Sequence, residues 1–95
     1  MAVGDVKSDL QSIAAAGFLS LQPGAGEEWV IHNIYHESKV ELYFYDGSNS
    51  LLFDADTGLG VWAWYEFHVT NSKYIRVKNT DSVAKLVGYD GVQTK

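Results

Sequence analysis

The sequence predicts an all-β fold, an antiparallel β-sandwich or small barrel with about seven to eight strands and a short N-terminal arm. Three observations lead there. Aromatic residues make up 14% of the 95 residues, and rings and β-branched side chains favour strands. Nine glycines against the single Pro23 divide the chain into short segments. From Phe18 onward apolar residues recur with period two, and turn signals return about every eight to twelve residues. The length suits one domain, and a hydrophobic content of 46% supplies its core.

Residues 1–16 differ from the rest. Val3, Val6, Leu10 and Ile13 are spaced three, four and three apart, which makes one apolar stripe if the segment is helical. A frayed or extended arm and an arm that orders on a partner surface both fit, because one short helix is marginal alone. The division is therefore an arm over 1–16 and a β-domain over 17–95.

Residues 18–22 form the first expected strand, stopped by Pro23-Gly24-Ala25-Gly26. Residues 27–36 form the second. Its apolar positions Trp29, Ile31 and Ile34 slip phase, and a β-bulge explains the slip. Residues 39–45 alternate, with Val40, Leu42 and Phe44 opposite Glu41, Tyr43 and Tyr45. Asp46-Gly47 is a strong turn signal. A short strand over 51–54 leads into the loop 54–60. Residues 61–70 alternate again, with Val61, Ala63, Tyr65, Phe67 and Val69 opposite Trp62, Trp64, Glu66 and His68. Residues 74–78 turn Ile75 and Val77 inward. Residues 83–89 close the domain, and a polar tail follows.

Composition narrows the function. Without cysteine there is no disulfide framework, zinc-thiolate site or cysteine nucleophile. A net charge of −5 gains nothing from counterion release, so no nucleic-acid partner is expected. No stretch approaches the roughly 20 apolar residues of a membrane helix, and residues 1–10 lack a signal-peptide pattern. The expectation is no membrane partner.

The candidate chemistry is sparse. His32 and His36 are four apart in a strand, so they share a face but stand too far apart to share a metal easily. Asn33 occupies the position where a zinc-protease helix needs glutamate. Asp54-Ala55-Asp56-Thr57-Gly58 resembles a calcium loop, but Leu59 and Tyr65 occupy its required glycine and glutamate positions. Asp and Gly there serve turn geometry. No catalytic residues, metal or cofactor are expected, and the chain reads as a non-enzyme.

The aromatic residues remain. If Val61, Ala63, Phe67 and Val69 fill the core, Trp62 and Trp64 face outward, as do Tyr43 and Tyr45 on their strand. The other phase buries the tryptophans and exposes Tyr65. Exposed aromatics mark interfaces and supply binding hot spots. The expected contact residues are Val3, Val6, Leu10 and Ile13 on the arm, and Tyr43, Tyr45, Trp62 and Trp64 on the domain.

The run Gly26-Glu27-Glu28-Trp29-Val30-Ile31-His32-Asn33-Ile34 adds a resemblance, as do Glu41-Leu42-Tyr43-Phe44-Tyr45-Asp46-Gly47 and His68-Val69-Thr70-Asn71-Ser72. Tyr74-Ile75-Arg76-Val77-Lys78-Asn79 and Gly88-Tyr89-Asp90-Gly91-Val92 extend it. Over residues 17–95 this series resembles small virion proteins of tailed bacteriophages, above all capsid decoration, or cement, proteins, and so implies an antiparallel β-sandwich body that is jelly-roll-like. The resemblance implies a homotrimer on the capsid surface, bound to the major capsid protein through residues 1–16 and stabilising the head. A tail or fibre receptor-binding β-module that takes carbohydrate on its tryptophan face is the alternative.

Overall fold

The computed structural model describes residues 3–95, so Met1 and Ala2 of the expected arm lie outside the described residues. Among the described residues nine strands form and no helix does. They are β1 (Val6–Ile13), β2 (Phe18–Leu21), β3 (Glu28–His36), β4 (Val40–Tyr45) and β5 (Ser50–Asp56). β6 (Gly60–Trp62), β7 (Phe67–Thr70), β8 (Tyr74–Asn79) and β9 (Lys85–Gln93) complete the set. The larger sheet runs β1-β9-β3-β6, with β7 also on β3, and the smaller runs β2-β8-β4-β5.

The pairing has a simple origin. β4 pairs with β5, β3 with β6 and β7, β2 with β8, and β1 with β9, all antiparallel. The chain is one long hairpin, with its tip at residues 46–49, rolled so that successive strand pairs fall in alternate sheets. At the tip the Asp46 carboxylate accepts the amides of Ser48 and Asn49. β6 and β7 are two halves of one interrupted strand, which leaves four strand positions per sheet. This is the wrapping of a jelly roll, so the expected β-sandwich is the observed fold.

Period two places the core. Leu19, Leu21, Val40, Leu42, Ile75 and Val77 turn inward from the smaller sheet, against Ile13, Ile31, Ile34, Val69 and Val87 from the larger. Each such side chain contributes about 1.5–3 kcal/mol by leaving water. Phe44, expected on the same face as Val40 and Leu42, is exposed and takes no part in the core.

Four elements differ from the sequence reading. Residues 6–13 are a strand, not a helical stripe. They pair with β9 residue for residue, from Val6 opposite Val92 to Ile13 opposite Lys85. The segment is thus the edge strand of the larger sheet, with Val6 and Leu10 exposed, while Ile13 enters the core. Second, the run 61–70 is broken. Residues 63–66 leave the ladder, and Trp64 takes φ +67°, a left-handed conformation that inverts the alternation. Trp62 is buried and Trp64 is exposed, so the two do not share a face. Third, β9 continues to Gln93, where a polar tail was expected after Tyr89. Fourth, His32 and His36 do not share a face. The bulge expected in β3 is present, since pairing to β9 shifts between Ile31 and Asn33. It sends His32 and Asn33 to the outer face and leaves His36 inward against Trp62, 4.3 Å between ring centres.

The bulge requires a backbone without a side chain opposite it. A Cβ on Gly91 would run into the Val30 carbonyl oxygen and stand 2.8 Å from the Ile31 Cα. A second constraint ties the sheets. Asn79 is fully buried, and its Nδ2 donates to the carbonyls of Ile13 at 2.9 Å and Val83 at 2.8 Å. Its Oδ1 accepts the Asp81 amide at 2.9 Å, and its backbone pairs with Ala16 and Gly17.

Two predictions follow from these fits. Gly91→Ala is expected to cost about 3 kcal/mol or more of unfolding free energy, because backbone must move. Gly58→Ala is the control, since its Cβ meets only the Asp56 carboxylate at 3.7 Å and should cost little. Asn79→Leu keeps the branching but is bulkier and orphans two carbonyls and one amide, an expected loss of about 3 kcal/mol. Urea denaturation measures all three, and parental midpoints for Gly91→Ala or Asn79→Leu would contradict the corresponding account.

Candidate functional site

The outer face of the larger sheet carries a groove of about 590 Å³, lined by Val6, His32, Asn33, Trp64, Glu66, Asp90, Gly91 and Val92. β1, β3 and β9 supply its floor, and the 63–66 segment forms one wall. Alternation explains the floor. Val6, Val92 and Val30 stand in one cross-strand row, and Asn33 sits opposite Asp90. The Asn33 Nδ2 donates to Asp90 Oδ1 at 2.7 Å, and the Tyr35 hydroxyl donates to Asp90 Oδ2. The same Asn33 offers its Oδ1 to the Trp64 amide at 3.2 Å. The Tyr65 amide donates to the His32 carbonyl at 3.0 Å, and His32 Nδ1 stands 3.2 Å from the Tyr65 carbonyl oxygen. The bulged residues of β3 therefore clamp the wall. Trp64 itself is 91% exposed.

Tyr43 and Tyr45 lie on the outer face of the other sheet. They do not stand free there. The Arg76 guanidinium sits 3.9 Å from the Phe18 ring centre and 4.8 Å from that of Tyr45, a cation–π stack. Tyr43 meets Phe18 edge to face at 5.8 Å, and Tyr45 meets Tyr74 at 5.6 Å. The Tyr43 hydroxyl donates to Glu41 at 2.7 Å. Half-buried in this way, the two tyrosines brace the sheet and present only part of each ring.

Of the expected contact residues, the structure brings Val6 and Trp64 to one groove, leaves Val3 and Leu10 exposed nearby in sequence, and buries Ile13 and Trp62 in the core. The Trp62 indole donates to Asp54 Oδ2 at 2.9 Å. Asp54 Oδ1 accepts the Ala55 amide, and Asp56 accepts the Gly58 amide while facing His36 at 3.7 Å. The 54–58 carboxylates are thus engaged in turn geometry and in holding the tryptophan. Among the described residues no three His, Asp or Glu side chains converge as a metal site.

The sequence reading missed two features. The edge strand β5 exposes three consecutive apolar residues, Leu51 at 60%, Leu52 at 46% and Phe53 at 38%. A bulge in the pairing of β4 and β5, between Leu42 and Tyr43, disturbs the alternation there. The Asn33–Asp90–Tyr35 cluster was also missed. It joins residues more than fifty positions apart, and no local signal in the sequence marks it.

Several groups titrate away from their ordinary values. Hydrogen bonding to the Asp90 carboxylate raises the Tyr35 pKa, and bonding to Glu41 raises that of Tyr43. Burial raises Tyr89. The Asn49 and Ser48 amides lower Asp46, and the Ser82 amide followed by Lys85 lowers Asp81. The folded state therefore holds phenolic protons that the unfolded chain releases near pH 10.0. Their stabilisation is complete below that value and is lost as pH rises through the folded pKa values. The two aspartates act in the opposite direction. Their stabilisation is present above 3.8 and is lost as pH falls through their lowered values. Denaturant midpoints should thus fall at both extremes, and Tyr35→Phe with Tyr43→Phe should flatten the alkaline fall. An unchanged alkaline slope in that double variant would contradict the assignment.

No protein-family model matches this chain, and no curated protein matches it.

Proposed function

We propose that the chain is a phage virion structural protein, a capsid decoration protein that binds the major capsid protein lattice and stabilises the head. The observation that carries this reading is a pair of edge strands, on opposite sides of one body, that expose apolar side chains. β1 leads the order of the larger sheet and bears exposed Val3, Val6 and Leu10 on or beside it. β5 ends the order of the smaller sheet with exposed Leu51, Leu52 and Phe53. Edge strands offer unpaired backbone, and proteins ordinarily protect them with charge, proline or a cover. β1 carries Lys7 and Asp9 and β5 carries Asp54 and Asp56, but exposed apolar side chains stand among these charges, the surface character of an interface.

A body with two such edges is built to bridge. In this reading β1 docks on the major capsid protein and β5 meets a neighbouring copy, which gives the trimer and the virion location that the resemblance implies. Jelly rolls also serve virus shells, an analogy of fold alone. The mechanism is mass action: a ligand of the assembled shell stabilises that shell, and symmetric copies add avidity to weak contacts.

The test mixes purified parent heads with the full chain and follows co-sedimentation and the heat release of DNA. Saturable binding and later release are expected. Val3→Lys with Leu10→Lys should abolish co-sedimentation, while Leu51→Lys with Phe53→Lys should abolish trimers in analytical ultracentrifugation. Absence of the wild-type chain from sedimented heads, or its location only on tails by cryo-electron microscopy, would overturn the proposal.

A further inference from the structure

We propose that the groove on the outer face of the larger sheet is a binding site for a neutral saccharide. Trp64 is the first reason. A tryptophan residue that is 91% exposed contributes nothing to the core. Its backbone is also in a conformation that non-glycine residues rarely adopt, with φ +67°. Such strain persists only where the surroundings enforce it, and it gathers at binding sites. The surroundings here are Asn33, which accepts the Trp64 amide, and His32, whose carbonyl accepts the next one. The bulge and the strained residue act together to present one flat ring at the groove.

The floor is the second reason. Asp90 is aimed by two donors, the Asn33 amide and the Tyr35 hydroxyl. Each carboxylate oxygen has lone pairs left to accept from a ligand. His32 and Glu66 add further polar groups, and Val6 and Val92 supply apolar floor. A mostly apolar concavity with a few fixed polar groups is the general form of a small-ligand site.

The chemistry of the lining selects the ligand class. No lysine or arginine lines the groove, and two carboxylates do, so phosphate, sulfate and acidic sugars are repelled. A quaternary ammonium is bound by a cage of several rings, whereas the lining holds the single Trp64 indole. A neutral pyranose satisfies both halves of the site. Its C–H face covers the electron-rich face of an indole, and its hydroxyls donate to Asp90 and Glu66. The cavity volume lies within the ordinary range of small-ligand sites.

The full chain, screened on an array of neutral and acidic glycans, tests this. Binding to neutral hexose-containing glycans is expected, with weaker signal on sialylated or sulfated forms. The bound sugar should shield Trp64 from acrylamide quenching of tryptophan fluorescence. Titration calorimetry with the best glycan should show binding weakened by about tenfold or more in Trp64→Ala and in Asp90→Ala. Trp64→Phe, which keeps a flat ring, should recover part of it. Trp64→Ala removes an exposed side chain, so its thermal midpoint should stay near the parent value and separate lost binding from lost fold. Co-sedimentation with heads should be unaffected by Trp64→Ala, so this proposal and the capsid reading fail independently. No neutral glycan bound by the wild type, binding unchanged in Trp64→Ala, or preference for choline or acidic glycans would overturn it.

Discussion

The close approach of β9 to β3 at Gly91 governs much of this molecule. One carbonyl and one Cα of β3 occupy the space that a side chain would need. That contact lets β3 carry an extra residue while still pairing with β9 on both sides of it. The consequence is a change of phase within a single strand. Trp29 and Ile31 feed the core before the bulge, and Ile34 and His36 feed it after. Between them, two polar residues reach the outer face without any loss of core packing. The groove's polar floor is therefore a by-product of the core's own requirement for register.

The rolled hairpin sets a second constraint. Because successive strand pairs alternate between sheets, every corner must cross from one layer to the other. Corners strand backbone groups away from ladders, and buried unpaired groups are costly. Asn79 answers this at the corner joining β1 to β2, where it bonds to both that corner and the 80–83 turn. At the crossing from β5 to β6 the Trp62 indole donates to Asp54, whose other oxygen accepts the Ala55 amide, inside a shell of His36 and Asp56. Two corners at the same end of the sandwich are thus each fastened by a polar side chain, since Asn79 and Asp56 both pair with Val40. The lateral edges are not, and β1 and β5 keep apolar groups in water.

How much of this was legible in the sequence depended on whether the pattern was local. Strict alternation gave β4 and β8, and a phase slip at Ile31 gave the bulge. The first sixteen residues misled because the spacing of Val3, Val6, Leu10 and Ile13 satisfies a helix, whereas the long-range partner 85–92 makes a strand. A sequence holds no sign of that partner until the wrapping is known. The 61–70 run misled for a different reason. One residue in a left-handed conformation uncouples parity on either side of it, so Trp62 and Trp64 were assigned one face and took two. The groove was least legible of all, since Asn33 and Asp90 meet only through the register of β3 on β9.

That parity break connects fold and site. Had the strand run unbroken from Val61 to Thr70, Trp64 would share the environment of Trp62, and the core would have to admit a second indole. The left-handed turn at residue 64 removes that ring from the packing problem and leaves β7 free to resume pairing with Trp29 and Ile31. Its conformational cost, of order 1–3 kcal/mol for a non-glycine residue, is met by bonds from the 64–65 backbone to the bulge of β3. Two irregularities in neighbouring strands therefore depend on each other. The bulge supplies the acceptors that hold the break, and the break places its aromatic ring beside the polar groups that the bulge turned outward.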